Sequence, residues 1–278
     1  MFRGAGNCVY PIVSEFVRET SENHAMAPAC LMAYNVTMNA DRQKKAAIRE
    51  EKRSPAKQDA IRPYDLVCFD VDGTLIRHPS DKIIWEILNL RFTGNDRVNV
   101  ERFEMYKRGE ITYPDWVRLD VGGWIEAGAT RGQIVEAVRE FELYDGAIDT
   151  VRALKARGLH LAVISGTIDI VIETLFPGHP FDDVFTNKIV FDGEGRLTGW
   201  EATPYDLHGK AIALRDLATR HRVRLERTAF VGDGENDVSL VGVAGFVVAF
   251  NPRCQELERR ADLVMKGRNM NELLDVLS

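Results

Sequence analysis

From residue 64 onward, short apolar runs alternate with stretches whose apolar residues recur at i, i+3, i+4 and i+7. The first pattern suits strands buried on both faces and the second suits amphipathic helices. Their alternation predicts parallel strands joined by crossover helices. Strands are expected over 65–72, 159–165, 227–233, 245–250 and 261–265, each bounded by Gly, Asp or Ser. Between them AIDTVRALKARG, which stops at Gly158, and GKAIALRDLATRH predict helices that cover the sheet. The stretch VFTNKIVFDGEGRLTGW predicts a hairpin turning at Asp192-Gly193-Glu194-Gly195, inserted between the crossover units.

One region breaks the alternation. Residues 77–145 carry helical patterns such as SDKIIWEILNLRF and RGQIVEAVREFEL with no convincing strand, and the segment is too long for a plain crossover. It is expected to form a small helical cap over the C-terminal edge of the sheet, where open α/β sheets bind their ligands. The predicted fold is therefore α/β, a Rossmann-like three-layer core with a mostly parallel sheet. The core takes residues 63–76 and 146–278, and the cap is inserted after the first strand.

Residues 1–62 differ from the rest in composition. They carry 10 Lys and Arg against 7 Asp and Glu, whereas the whole chain has a formal charge of -6. NADRQKKAAIREEKRSPAKQDAIRP has little apolar periodicity, which suits a solvated helix or a disordered extension. Glu15, Glu19 and Glu22 argue against an amphipathic transit peptide, which avoids acids. The net acidity argues against a nucleic-acid partner held by phosphate neutralisation. No apolar run approaches the ~20 residues that span a bilayer, so no membrane role is expected. Four cysteines without metal or CxxC spacing suit free thiols in a reducing compartment, so a cytoplasmic location is expected.

Candidate chemistry gathers where the predicted strands end. In CFDVDGTL, Asp70 and Asp72 stand two residues apart, so in an extended segment both carboxylates project the same way. Like charges so placed imply a shared cation or proton, or else an ordinary Asp-Gly turn. In VISGT, Ser165 and Gly166 offer a hydroxyl and free N–H groups suited to a phosphate oxygen. Lys210 opens a helix, where its ammonium can neutralise an anion or simply be solvated. In VGDGENDVSL, Asp233 stands at a strand end between Gly232 and Gly234, with Asp237 one turn into the next helix.

DVDGTL, ISGT, the lysine of HGKA and GDGENDVSL, in that order, resemble the four motifs of the haloacid dehalogenase (HAD) superfamily of phosphohydrolases. The resemblance covers about residues 64–278, and VVAFNP with the preceding hairpin is most similar to the phosphoserine-phosphatase-like branch. It implies a magnesium-dependent phosphatase acting on a small phosphorylated metabolite. Asp70 would be the nucleophile that forms an aspartyl-phosphate, Asp72 the general acid and base, and Asp70, Asp72 through its carbonyl and Asp233 the Mg2+ ligands. Ser165, Gly166 and Lys210 would hold the phosphoryl oxygens, Asp237 would orient Lys210 or a metal-bound water, and Asn236 would reach the phosphate or substrate. Dehalogenases of the superfamily lack an acid at the Asp72 position, so its presence favours phosphoryl chemistry. A phosphotransferase or phosphomutase would keep the same motifs, and a silent ligand-binding regulator would lose one.

Substrate features depart from the branch. The glutamate that binds the amino group of phosphoserine is replaced by Pro79, and the arginine that binds its carboxylate aligns approximately with Asp120. Arg77, His78, Tyr113, Trp116, Arg118 and Trp124 are candidate pocket walls, against the alternative that they serve packing.

Overall fold

The computed structural model describes residues 63–95, 97–267 and 269–278. The expected character of residues 1–62 lies outside them.

In chain order the strands are β1 (Leu66–Phe69), β2 (Ile76–Arg77), β3 (Glu142–Leu143), β4 (His160–Ile168), β5 (Asp183–Phe191), β6 (Leu197–Glu201), β7 (Thr228–Gly232), β8 (Phe246–Phe250) and β9 (Leu263–Met265). The α-helices are α1 (Ile84–Thr93), α2 (Val98–Lys107), α3 (Tyr113–Glu126), α4 (Arg131–Val138), α5 (Ala147–Ala156), α6 (Asp169–Leu175), α7 (Lys210–His221), α8 (Gln255–Arg260) and α9 (Leu274–Leu277). Seven strands form one sheet in the order β6-β5-β4-β1-β7-β8-β9, parallel except for β6.

All of β1 is buried, which explains why its sequence is continuously apolar instead of alternating. Val67 and Phe69 join one apolar cluster with Val151 and Leu154 of α5, while Leu66 and Cys68 join another with Ala213, Leu214 and Leu217 of α7. Helices thus sandwich the sheet, and each fully buried aliphatic side chain contributes about 1.5–3 kcal/mol. Burial raises the Cys68 thiol far above its ordinary range and leaves it inert.

The register sets where the chemistry emerges. Phe69 stands opposite Val163 of β4 and Val231 of β7, so Asp70, Ser165 and Asp233 leave the sheet at one edge. The Asp70 amide donates to the Val231 carbonyl at 2.9 Å and extends that pairing by one residue. Beyond it Leu75 N and Ile76 N both donate to the Val71 carbonyl, a tight turn that carries the chain toward the helices 84–138.

Two features differ from the sequence reading. Residues 76–77 and 142–143 pair as a two-residue antiparallel ribbon where no strand was expected. Pairs this short carry no apolar period to read. The hairpin does turn at Asp192–Gly195, yet β5 is no insertion: Val184 and Phe185 pair parallel with Val163 and Ile164, making β5 a member of the sheet.

The helices before β3 have a polar as well as an apolar core. Thr112 caps α3, exchanging hydrogen bonds with Asp115, and Pro114 sits in the first turn, where its missing N–H costs nothing. Trp124 is fully buried with its ring 5.2 Å from Trp85. Buried Asn89 accepts from the Trp124 indole and donates to Asp120, each at 2.8 Å, so its amide is satisfied on both sides.

Candidate active site

A cavity of about 430 Å³ opens at the C-terminal edge of the sheet, with Asp70, Asp72, Ser165, Gly166, Asp233 and Asn236 in its wall. Lys210 is fully buried behind that wall, where its ammonium donates to Asp70 Oδ1 at 2.8 Å and Asp237 Oδ1 at 2.7 Å. Burial opposes its charge, but Asp237 and Asp70 outweigh this and raise its pKa, so it stays an ammonium. Asp237 Oδ2 accepts the amides of Asp233 and Gly234, both at 2.9 Å. Asp237 sits on a short 3-10 helix, Glu235–Leu240, instead of an α-helix. The tighter turn aims its carboxylate back at the loop that carries Asp233.

Asp233 accepts from Thr74 Oγ1 at 3.1 Å and from Arg253 Nε at 2.5 Å. Burial pushes its carboxyl up to about 7; Arg253 pulls it back, while Asp70 and Asp237 push it further. Asp72 accepts the Ile84 amide at the start of α1 at 3.2 Å. Removal from water, with the Asp70 charge nearby, raises its carboxyl to about 6. Two glycines are required by close approach. At Gly73 (φ +86°) a Cβ would lie 2.3 Å from Asp233 Oδ2, and at Gly166 it would lie 2.0 Å from Asp206 Oδ2.

Single oxygens of Asp70, Asp233 and Asp237 all lie within 4.8 Å of one another. Asp237 already accepts from Lys210 and two amides, whereas Asp233 accepts from Thr74 and Arg253 and Asp70 from Lys210, so Asp70, Asp233 and the nearby Asp72 carbonyl have the freer lone pairs. An all-oxygen set with two carboxylates fits a hard divalent cation such as magnesium.

Of the residues expected in the substrate pocket, Tyr113 and Trp116 line the cavity. Arg77, His78, Arg118 and Trp124 do not. Arg77 pairs with Glu142 on the β2–β3 ribbon, His78 packs against the Phe141 ring at 5.0 Å, and Arg118 pairs with Asp115 while largely exposed. Trp124 is core. Residue type marked them as able to bind; only the ribbon pairing of Arg77, the position of His78 just after it and the helix phase of Arg118 and Trp124 reveal that they face elsewhere.

Trp85, Asn99, Phe103, Asp206 and Arg253 in the wall carried no sequence signal, and Asp120, also in the wall, stood out only as the residue aligned with the carboxylate-binding arginine of the branch. Trp85 donates to the Gly166 carbonyl at 2.8 Å, and Asn187 on β5 donates to both that carbonyl and the Tyr113 hydroxyl. These bonds seat helices α1 and α3 on the C-terminal ends of β4 and β5. Asn236 donates to Asp206 at 3.0 Å. Arg253 also donates to the Asp72 carbonyl at 3.3 Å, so one guanidinium spans two of the oxygen groups suited to a cation. Asp120 is buried beside Arg102; burial raises its carboxyl, and Arg102 and Asn89 oppose the shift.

The family model for haloacid dehalogenase-like hydrolases matches residues 67–241. The phosphoserine phosphatase SerB2 of Mycobacterium tuberculosis is 34% identical over 195 residues, which cover 70% of this chain and 46% of that protein. The chain thus spans about half the length of that relative. The phosphoserine phosphatase of Methanocaldococcus jannaschii is 28% identical over 212 residues, covering 75% of this chain and 95% of that one. Among solved structures, a phospho-aspartyl intermediate analogue of phosphoserine phosphatase aligns with TM-score 0.62 and 27% identity, covering 78% of this chain and 100% of that chain.

Proposed function

The chain belongs to the haloacid dehalogenase-like hydrolases, in the phosphoserine-phosphatase-like branch, and from that premise we propose that it hydrolyses a small phosphomonoester through an aspartyl-phosphate on Asp70. One observation carries the reading: Asp70, Asp72 and Asp233 share a cavity wall while a buried ammonium, Lys210, holds Asp70 from behind.

A carboxylate oxygen of Asp70 attacks phosphorus as the P–O bond to the leaving group breaks, and Asp72 gives its proton to the departing alkoxide. Asp72 then takes a proton from water, whose oxygen attacks phosphorus and returns Asp70 as a free carboxylate with release of phosphate. A carboxyl raised to about 6 suits both halves, because proton donation and removal both lie near neutral pH. Ser165 and the Gly166 amide are placed to bind phosphoryl oxygens, and Lys210 adds charge from behind Asp70. Magnesium, held by Asp70, the Asp72 carbonyl and Asp233, would neutralise the acid cluster and polarise the phosphoryl group. The bonds from Trp85 and Asn187 hold helices 84–126 over the site, and their release admits substrate. A cytoplasmic setting suits the unpaired thiols of Cys68 and Cys254. No helix among the described residues is long and apolar enough to cross a membrane.

The test is magnesium-dependent phosphate release from p-nitrophenyl phosphate. Wild type is expected to turn over and Asp70→Asn to fall at least about 10³-fold, the scale of losing a nucleophile. Equal rates in the two proteins reject the reading.

A further inference from the structure

The cavity is a poor match for a leaving group that carries a carboxylate. Six carboxylates line it, those of Asp70, Asp72, Asp120, Asp206, Asp233 and Glu235, against one cationic side chain, Arg253, which is already engaged with Asp233. Magnesium and Lys210 would offset the acids around the phosphoryl group. Asp120 has its own partner in Arg102, whose side chain is 20% exposed, and the pairing leaves neither charge in excess.

The same wall has unmet hydrogen-bond capacity. Asp120 is fully buried and its Oδ2 makes no well-formed hydrogen bond, although the Trp116 side chain lies near enough to favour the carboxylate's charge; Asn99 is 9% exposed and its Oδ1 has no partner. Both are acceptors on residues of the cavity wall, and each bare oxygen is closed to water, so a turn of the side chain would be needed to present it to a ligand. A buried acceptor left bare is costly, so the wall is complementary to a molecule that brings N–H or O–H groups. Around them stand the rings of Trp85, Phe103, Tyr113 and Trp116, whose faces favour a cation over an anion.

Resting on the hydrolase reading, we infer that the substrate is the phosphate ester of an amino alcohol without a carboxylate, its primary ammonium donating to Asp120 Oδ2 and Asn99 Oδ1 among these aromatic rings. Excess acid selects the ammonium over a neutral polyol, and two bare acceptors select a primary amine over a quaternary one. Asp120 and Asn99 then act as specificity residues, touching the leaving group away from the reacting bond.

The experiment compares kcat/KM of the wild-type enzyme with magnesium for 2-aminoethyl phosphate, n-propyl phosphate, O-phosphoserine, phosphocholine and glycerol phosphate. The aminoethyl ester is expected to exceed the isosteric propyl ester, and phosphoserine, by about tenfold or more, the value of a charge-assisted hydrogen bond. Asn99→Leu and Asp120→Asn should each bring the aminoethyl-to-propyl ratio toward one, mainly through KM. A merely structural role would slow both esters alike and leave the ratio intact. Two variants guard against a misfolded Asp120→Asn, whose Arg102 loses its partner.

Preference for phosphoserine, glycerol phosphate or phosphocholine overturns the inference and leaves the hydrolase reading standing. So does a ratio unmoved in a folded variant. Failure to hydrolyse any of these esters and p-nitrophenyl phosphate overturns both.

Discussion

The floor and the roof of the cavity treat polar groups in opposite ways. On the floor, at the sheet edge, the buried charges satisfy one another: Lys210 touches two carboxylates, and Asp237 accepts from an ammonium and two amides. In the roof, built by helices 84–126, rings crowd together while Asn99 and Asp120 keep bare acceptors. Charges that must stay aimed at a reacting atom are preorganised by mutual bonds. Groups that must recognise a ligand hold bonding capacity in reserve, at some cost to stability.

The largest effect should come from breaking the floor. Lys210→Met keeps the length of the side chain but strands Asp70 and Asp237 without their ammonium. Breaking a buried pair typically costs about 3–5 kcal/mol, and a urea midpoint measured at pH 8 reads it. In the roof, Asn99→Leu removes an acceptor that has no partner, and the same measurement should show no loss. Equal destabilisation by the two would erase the distinction between the regions.

Metal and pH sharpen the floor's side of the contrast. The Asp72 and Asp233 carboxyls lie at about 6 and about 7 in the metal-free fold, above the ~3.9 of an unfolded aspartate. A carboxyl raised by folding contributes stability that is complete below about pH 4 and is lost as pH climbs through 6 and 7. The metal-free protein should therefore weaken over that window. Magnesium needs the ionised acids, so its stabilisation should be small at pH 5 and reach about 2.7 kcal/mol at pH 8 with the ion at a hundred times its Kd. Melting curves with and without magnesium at both pH values test this, and an equal shift at each would count against the acid cluster as the cation site.

Floor and roof also differ in how far they can be read from sequence. Asp70 and Asp233 directly follow buried strands, Asp72 stands two residues further on from Asp70 and Ser165 lies in the C-terminal half of β4, and parallel pairing brings such strand ends to one edge. Local patterns therefore announce the floor. Trp85, Asn99, Phe103 and Asp120 lie on helices whose apolar stripes pack as well as bind, and period alone does not separate the two. Arg118 and Asp120, two residues apart on α3, show the difficulty: the first is exposed and the second fully buried in the wall. The β2–β3 ribbon was hidden for another reason, since its partners are separated by the whole helical segment.

Arg253 belongs to the floor yet left no mark in the sequence, because a loop after β8 delivers it to strand ends far away in the chain. Its guanidinium holds Asp233 and the Asp72 carbonyl, two of the groups assigned to magnesium. Any ion drawing on both must compete with it. The arginine side chain is 45% exposed, so water screens the pair and its worth falls toward the ~0.2–1 kcal/mol of a surface ion pair. Arg253→Gln should accordingly bind magnesium about two- to fivefold more tightly in a calorimetric titration at pH 8. The gain should shrink as pH falls and protons replace the arginine as the competitor at Asp233. Weaker binding in the variant would mean that Arg253 orients Asp233 toward the ion instead of competing for it, and the floor would then hold a bonded scaffold residue where a competitor is assigned.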